Sequence, residues 1–238
     1  MTNKPATNYA LKDIDFATLF ACNIHDIKNL LFLLLNSLDD TINNASECLG
    51  HDPENLSKLS SLKYNGQRIN DKLIQMLALF NMAQERYQIS IDYHSVEELI
   101  EDMVIESEPL LNARSITITG EVEDGLCWFF DKGIADGIIS NAIHNALSHA
   151  KSAIKINAYS KDDFLHIEIE DDGCGFPQTL LENGGVVRSL DMANGKTGLG
   201  LYFSTMSAKM HINKEKSGYI SLNNGGSLNG AVFSLHLP

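Results

Sequence analysis

The chain has 238 residues, of which 44% are hydrophobic and 21% charged, and its formal net charge is −13. This composition is that of a globular protein with one large or two modest domains, and nucleic acid is not expected as a partner because binding to phosphates needs clustered Lys and Arg. The longest run of large apolar residues, 30–35, is far shorter than the about 20 residues that span a bilayer, and the N-terminus lacks a secretion signal, so we expect a cytoplasmic protein without membrane insertion.

Residues 12–87 have the apolar period of helices. In the first helix the apolar residues lie on one stripe, with steps of three and four, formed by Phe16, Phe20, Ile24, Ile27, Leu31, Leu34, Leu38, Ile42, Ala45 and Leu49. Gly50 is suited to end this helix, and Asp52 with Pro53 is suited to begin a second one of the same period. Two such hairpins must pair to bury both stripes, so we predict a homodimer that forms a four-helix bundle. Packing of the hairpin on the rest of its own chain is the alternative.

From about residue 88 the pattern changes to interleaved strands and helices. A short strand precedes a helix that is predicted to begin near Ser95, with Glu98 three residues later as its capping-box partner. A second helix is predicted over "KGIADGIISNAIHNALSHA", and further strands over "SITITGEV", "GLCWFFD", "SAIKINAYS", "DFLHIEIEDD", "SGYISLNNG" and "AVFSLHLP". The order lacks a regular βαβ repeat, which favours an α+β sandwich, a mixed sheet covered on one face by helices. We therefore predict a helical domain over residues 1–88 and an α+β domain over residues 89–238.

Two polar segments of the second domain carry oxygen ligands. In "NAIHNALSHA", Asn141 and Asn145 are four residues apart and share a helix face, and amide oxygens suit Mg2+, although many polar helix faces would show such a pair. In "IEIEDDGCGFP", the predicted strand ends at Asp171, and Gly173 and Gly175 follow at alternate positions. The glycines allow a flat ligand to approach the backbone, and the carboxylate can accept from an exocyclic amine. A plain acidic turn is the alternative.

A third segment, "NGKTGLGLYFS", is rich in glycine. Gly195, Gly198 and Gly200 precede an apolar helix, and Lys196 and Thr197 lie between them. Amide N–H groups at a helix N-terminus attract phosphate, so this segment is either a phosphate loop or an ordinary turn.

Together, and in this order, the three segments resemble the N, G1 and G2 boxes of the GHKL ATPases, the superfamily of histidine kinases, gyrase, Hsp90 and MutL proteins. The segment "HDIKN", residues 25–29, resembles the H-box of bacterial sensor histidine kinases, whose dimerisation hairpin precedes the ATP-binding domain. The resemblance covers about residues 12–238. It implies that the second domain is a sandwich of the GHKL, or Bergerat, type.

The resemblance also implies ATP and Mg2+ as cofactors and a role for each matching residue. Asp171 would bind the adenine amino group, and Asn145 would coordinate Mg2+ with Asn141 beside it on the nucleotide face. The adenine pocket would be shaped by Gly173 and Gly175, and the phosphate loop would contain Lys196, Thr197, Gly198 and Gly200.

His25 would be the phosphoacceptor in this family. Asp26 would orient its ring or take its proton, and Asn29, one helical turn later, would hold a water that attacks a phosphorylated partner. A lone histidine beside an apolar helix face is more often structural, but the three downstream segments favour the phosphoacceptor. The other histidines outside the N box are interpreted as turn or surface residues, namely His51, His94, His166, His211 and His236.

The sequence departs from the family pattern in three places. No Pro follows Asn29 in the H-box, and Ser148 stands where many relatives carry Lys. The segment between Pro177 and Gly195 contains no Phe-rich motif, so the lid over the nucleotide is expected to be short.

The predicted function is that of an ATP-dependent protein histidine kinase. It would phosphorylate His25, pass the phosphoryl group to an Asp of a response-regulator receiver domain, and dephosphorylate that domain as a second activity. The alternatives are a histidine phosphotransfer or scaffold protein with a vestigial ATP-binding domain, and a GHKL ATPase of another type. Residues 1–11 are too few to form a sensor, so we expect the signal to come from a separate sensor protein or from a sensor region missing from this chain.

Overall fold

The structure is a computed structural model that describes residues 24, 27–29, 31–39, 41–42, 53–182 and 199–238. The chain divides into two compact units, Met1–Arg86 and Tyr87–Pro238. Across the described ranges, every helix is too short or too polar to pass through a bilayer.

The first unit contains a long helix, α1 (Pro53–Ala83), and helical residues within 27–42 that pack on it. Asp39 forms an ion pair with Lys63 at 2.5 Å, and Leu35 lies against Gly66. The later residue of the first segment thus meets the earlier residue of α1, so the two helical segments are antiparallel. Glycine weakens a helix interior, but Gly66 of α1 admits the side chain of Leu35 at close range. Several large apolar side chains of this unit remain exposed: Ile27, Phe32, Leu33, Leu34, Leu62, Ile69 and Ile74.

Helix α1 ends in a left-handed turn at the boundary of the unit. Glu85 has φ +56°, its N–H donates to the carbonyl of Met82 at 3.0 Å, and the N–H of Arg86 donates to the carbonyl of Asn81 at 2.9 Å. These two bonds are the Schellman pattern, in which glycine usually holds the left-handed position. Here a glutamate holds it, at a conformational cost.

The second unit is an α+β sandwich. Its helices are α2 (Val96–Arg114), α3 (Lys132–His149), α4 (Gln178–Glu182) and α5 (Leu199–Ala208). Its strands are β1 (Asp92–Ser95), β2 (Thr117–Val122), β3 (Cys127–Phe130), β4 (Ala153–Lys161), β5 (Phe164–Asp171), β6 (Ile212–Asn213), β7 (Lys216–Ser217), β8 (Tyr219–Gly225) and β9 (Gly230–Leu237). The main sheet has the order β2-β4-β5-β9-β8, in which β2 and β4 are parallel and every other neighbouring pair is antiparallel. The prediction of a mixed sheet is confirmed. Strands β1 and β3 form a separate antiparallel ribbon, and β6 and β7 form a short hairpin that was not predicted.

Helices α2, α3 and α5 cover one face of the main sheet, as predicted. Alternate residues of β4 and β5 are buried against them, among them Ile156, Leu165 and Ile167. The predicted cap of α2 is confirmed, because Ser95 Oγ accepts from the N–H of Glu98 at 3.2 Å. Helix α3 buries eight apolar residues, because it packs on the sheet and on both neighbouring helices. It is therefore the central element of the helical layer.

The other face of the sheet is polar and carries a row of four rings across four strands. Tyr159 stacks on His166 with ring centroids 4.9 Å apart, His166 meets His236 edge-on at 4.7 Å, and Tyr219 stacks on His236 at 4.2 Å. The interpretation of His236 and His211 as turn or surface residues is wrong, because their exposed fractions are 7% and 2%. His236 is covered by rings from the strands on either side, and His211 lies behind the N-terminus of α3. Neither type of cover is visible in the local sequence.

Candidate functional site

Asp171 is the last residue of β5 and is buried, with an exposed fraction of 4%. Its Oδ1 accepts hydrogen bonds from the backbone N–H groups of Gly173 at 2.8 Å and Ala231 at 3.3 Å. Within the described residues no hydrogen bond reaches Oδ2. One oxygen thus holds the carboxylate in place, and the other is able to accept a further hydrogen bond.

Glycines allow the backbone to close around Asp171. A Cβ at Gly173 would collide with the carbonyl oxygen of His149, at the end of α3, and would lie 2.8 Å from Asp171 Oδ1. A Cβ at Gly230 would collide with the carbonyl oxygen of Asp171 itself. The sequence indicates Gly173 but not Gly230, because Gly230 has this role only through its position beside Asp171 in the neighbouring strand.

Asn224 clamps the loop that follows Asp171. Its Oδ1 accepts from the N–H of Phe176 at 2.7 Å, and its Nδ2 donates to the carbonyl of Phe176 at 2.9 Å. Gly175, with φ +79°, lies so close to this amide that a Cβ there would be 2.7 Å from Asn224 Oδ1. The sequence alone does not indicate Asn224, because it lies 48 residues after Phe176 and is not part of a motif.

Asp172, next to Asp171, has a structural role. Its carboxylate accepts from the N–H of Lys151 at 2.7 Å and from the hydroxyl of Ser152 at 2.7 Å, which ties the end of β5 to the start of β4. The Ser152 hydroxyl, with the backbone N–H groups beside it, holds the pKa of Asp172 well below its ordinary value. The two adjacent carboxylates therefore have different environments, and Asp171 alone has an oxygen left for a ligand.

Helix α3 contacts both glycine segments. Asn141 Nδ2 donates to Ser204 Oγ of α5 at 3.3 Å, and the Asn141 amide occupies the space that a Cβ at Gly200 would need. Eight residues later, the carbonyl of His149 lies against Gly173. Asn145 lies between them on the same face, since residues four apart in a helix are neighbours. It is exposed, and within the described residues its side chain makes no hydrogen bond.

The structure therefore brings Asn141 to Gly200, and Asp171 to Gly173, with Asn145 between the two contacts. Gly175 lies further along the same loop, against Asn224. Asn29 is helical and exposed, in the other unit. The remaining predicted site residues lie outside the described residues: His25, Asp26, Lys196, Thr197 and Gly198.

The arrangement fits an adenine nucleotide and a hard cation. A carboxylate oxygen that has no donor among the described residues suits an exocyclic amine, and an exposed amide oxygen is a ligand that Mg2+ accepts alongside phosphate oxygens. In the part of the chain that the structure describes, no cluster of three or more His, Cys, Asp and Glu residues is arranged to hold a metal ion.

Comparison with known proteins finds a matching family and several relatives. Residues 132–238 match the family described as histidine kinase-, DNA gyrase B-, and HSP90-like ATPase. The virulence sensor histidine kinase PhoQ of Salmonella typhimurium is 22% identical over 155 residues, which are 65% of this chain and 30% of PhoQ. The sensor histidine kinase RppB of Synechocystis sp. is 22% identical over 229 residues, which are 90% of this chain and 47% of RppB. The chain thus spans between about a third and a half of the length of these relatives.

Solved structures show the same fold. Full-length ShkA in complex with AMPPNP superposes with a TM-score of 0.65 at 17% identity, over 93% of this chain and 46% of ShkA. The family match begins at the first residue of α3 and includes Asn141, Asn145, Asp171 and Gly200. Residues 132–238 are therefore similar to the ATPase family described as histidine kinase-, DNA gyrase B-, and HSP90-like, and sensor histidine kinases are among the relatives of this chain.

Proposed function

We propose that the protein is an ATP-dependent histidine kinase that phosphorylates itself on His25 and passes the phosphoryl group to an Asp of a receiver domain. The observation that carries the proposal is the carboxylate of Asp171, with Oδ1 held by two backbone N–H groups and Oδ2 left for a ligand. The names of the relatives support it, since PhoQ and RppB are both sensor histidine kinases.

The nucleotide would bind between β5 and α3. Asp171 Oδ2 would accept from the adenine amine, and the missing side chains of Gly173 and Gly230 leave the backbone room to hold that carboxylate in position. Asn141, packed on Gly200, would fix the start of α5, and the first N–H groups of that helix would be available to bind phosphate, as helix N-termini do. ShkA, which has this fold, was solved with the ATP analogue AMPPNP.

Mg2+ would be held by the amide oxygen of Asn145 together with phosphate oxygens. When bound, the ion would neutralise the charge that develops on the phosphates during transfer. The exposure of Asn145, between the two contacts of α3 with the glycine segments, is what allows it to take this role.

His25 would react as a neutral imidazole. Its unprotonated ring nitrogen would attack the γ-phosphorus, a nitrogen–phosphorus bond would form, and the bond from that phosphorus to the β–γ bridging oxygen would break, which releases ADP. Asp26 would accept the proton that the ring loses from its other nitrogen. In the next step the phosphoryl group would pass to a carboxylate of the receiver domain, and Asn29 would later position a water that removes it.

The hairpin unit would dimerise. Its exposed apolar side chains, including Leu34, Leu62 and Ile69, would be buried in a four-helix bundle with a second copy. Light scattering on the purified chain should give twice the chain mass of 26.3 kDa. A mass of one chain would contradict this part of the proposal.

The kinase is tested by incubation with γ-labelled ATP and Mg2+. The wild type should gain label that is lost in acid and stable in alkali, as expected for phosphohistidine, and His25→Ala and Asn145→Ala should gain none. His51→Ala is the matched control, since it removes a histidine of the same unit and should keep the label. A wild type without label and without ATP binding would refute the proposal and favour a phosphotransfer protein. Acid-stable label would point to another kind of GHKL kinase.

A further inference from the structure

Asp131 connects the start of the second unit to helix α3. It is buried, with an exposed fraction of 7%, and it precedes α3 as its N-cap. Its Oδ1 accepts from the N–H of Ile134 at 3.0 Å, which is the capping bond. Its Oδ2 accepts from the N–H of Ser90 at 2.9 Å, 41 residues earlier in the chain. A cap needs only the first of these bonds, so the second calls for a separate explanation.

Asp131 lies at the end of α3 that is remote from the nucleotide site. Its own N–H donates to Nε2 of His211 at 3.1 Å, and His211 follows the C-terminus of α5. Since Asn141 meets Gly200 and Gly137 faces Phe203, helices α3 and α5 run antiparallel. The two helices therefore carry the nucleotide contacts at one end and the Asp131–His211 contact at the other, about 15 Å away at 1.5 Å per helical residue.

The chain that reaches Asp131 is short. Helix α1 and its terminating turn end at Arg86, and the first strand of the second unit begins at Asp92. Residues 87–91, five in number, lie between these points, and the bond from Ser90 fixes the fourth of them. Burial, and then the charge of Asp131, raise the pKa of Tyr87. Only residues 87–89 remain between the end of α1 and the anchor.

We propose that Asp131 is a positioning residue for phosphoryl transfer. By holding the N–H of Ser90, Asp131 ties the chain that arrives from the phosphoacceptor hairpin to α3 and α5, the helix pair that would bind the nucleotide. The proposal rests on the proposed kinase function. Release of Ser90 would lengthen the free connection by two residues, or up to about 7 Å of reach. Attack on the γ-phosphorus needs the reacting atoms about 3–3.5 Å apart, so this slack would lower the fraction of productive encounters.

Three variants separate the anchor from the cap. Asp131→Asn keeps an oxygen for Ile134 and places an NH2 group against the N–H of Ser90, so the anchor is lost and the cap remains. Ser90→Pro removes the donor and leaves Asp131 unchanged. Ser90→Ala is the matched control, because it removes only the hydroxyl, which donates to exposed Asp92, and keeps the N–H.

The full-length variants are compared by the rate of His25 labelling at saturating ATP, by ATP affinity, and by hydrogen exchange of a peptide over residues 87–92. We expect Asp131→Asn and Ser90→Pro to lower the labelling rate about tenfold, to leave ATP affinity within twofold, and to speed exchange over 87–92 while α3 stays protected. The double variant should be no slower than either single one, since both changes break the same bond. Ser90→Ala should match the wild type.

Several outcomes would overturn the proposal. An unchanged or faster labelling rate would show that the anchor does not position the hairpin. A loss of ATP affinity as large as the loss of labelling rate would show that Asp131 acts only as a cap. Faster hydrogen exchange in α3 would show the same. A wild type that takes no label would remove the kinase function and this proposal together, whereas a labelled wild type with unaffected variants would remove this proposal alone.

Discussion

His236 should make the stability of the second unit depend on pH. The Nδ1 atoms of His236 and His166 are 2.9 Å apart, Ser221 Oγ lies 2.9 Å from Nε2 of His236, and the carbonyl of Lys161 lies 3.2 Å from Nε2 of His166. With both rings neutral, the chain of bonds is satisfied if His166 donates to Lys161, His236 donates to His166, and Ser221 donates to His236. A proton added to Nε2 of His236 would make Ser221 the acceptor and would place a positive charge in a buried position beside His166.

The size of the effect follows from the pKa. Burial first, and then the charge of His166, lower the pKa of His236 from 6.5 to about 4. Between pH 6.5 and about pH 4, His236 therefore binds a proton in the unfolded chain but stays neutral in the folded chain. The free energy of unfolding consequently decreases as the pH falls below 6.5. The loss amounts to about 2 kcal/mol between pH 7 and pH 5 and at most about 3 kcal/mol in stronger acid. His211, whose pKa burial also lowers, adds to the loss in the same direction.

The assay is urea unfolding between pH 7.5 and pH 5.2, followed by fluorescence of Trp128, the single tryptophan, which lies in β3 of the same unit. In His236→Gln the acid-induced loss should shrink by about 2 kcal/mol relative to the wild type. Ser221→Ala, which keeps the imidazole, should retain the loss. If His236→Gln and the wild type lose the same free energy over this range, then His236 is not a buried neutral group and the argument fails.

Three further substitutions and one control substitution test the site and the end of α1. Asp171→Asn would turn an NH2 group toward the adenine amine and should weaken AMPPNP binding in calorimetry by about 2 kcal/mol; Asp172→Asn, whose carboxylate faces Ser152, should leave the binding unchanged, and equal losses would contradict the assignment. Gly200→Ala should place its Cβ against Asn141, lower the free energy of unfolding by about 1–3 kcal/mol and weaken nucleotide binding. A variant that binds the nucleotide normally would rule out the tight contact. Glu85→Gly should raise the free energy of unfolding of the hairpin, followed by circular dichroism, by about 1 kcal/mol, because glycine adopts positive φ without strain, and a lower midpoint would refute this.

The fold of the second unit was largely predictable because its local signals agree with one another. Alternating apolar residues in β4 and β5 match their buried face, and Ser95 caps α2 as its spacing with Glu98 indicates. The β6–β7 hairpin was missed because strands of two residues are too short to show a period.

The site was predictable only where chemistry and spacing coincide within one segment. Asp171 and Gly173 lie two residues apart, and Asn141 and Asn145 lie four apart, so each pair is visible in a short window. Gly230, Asn224 and Ser204 reach the site through pairing of β9 with β5, a loop clamp and helix packing. Such contacts depend on tertiary structure, so a single sequence without the fold cannot reveal them.

The glycines around the site have a consequence for mutagenesis. Gly173, Gly200 and Gly230 each occupy a place where any β-carbon would meet a backbone carbonyl or an amide of this unit. Substitution by alanine therefore adds an atom that clashes at these three glycines. At every position with a larger side chain, the same substitution removes atoms and the contacts that they make. In an alanine scan of this domain, the effects at glycine positions therefore measure steric clash and should be compared separately from the effects at other positions.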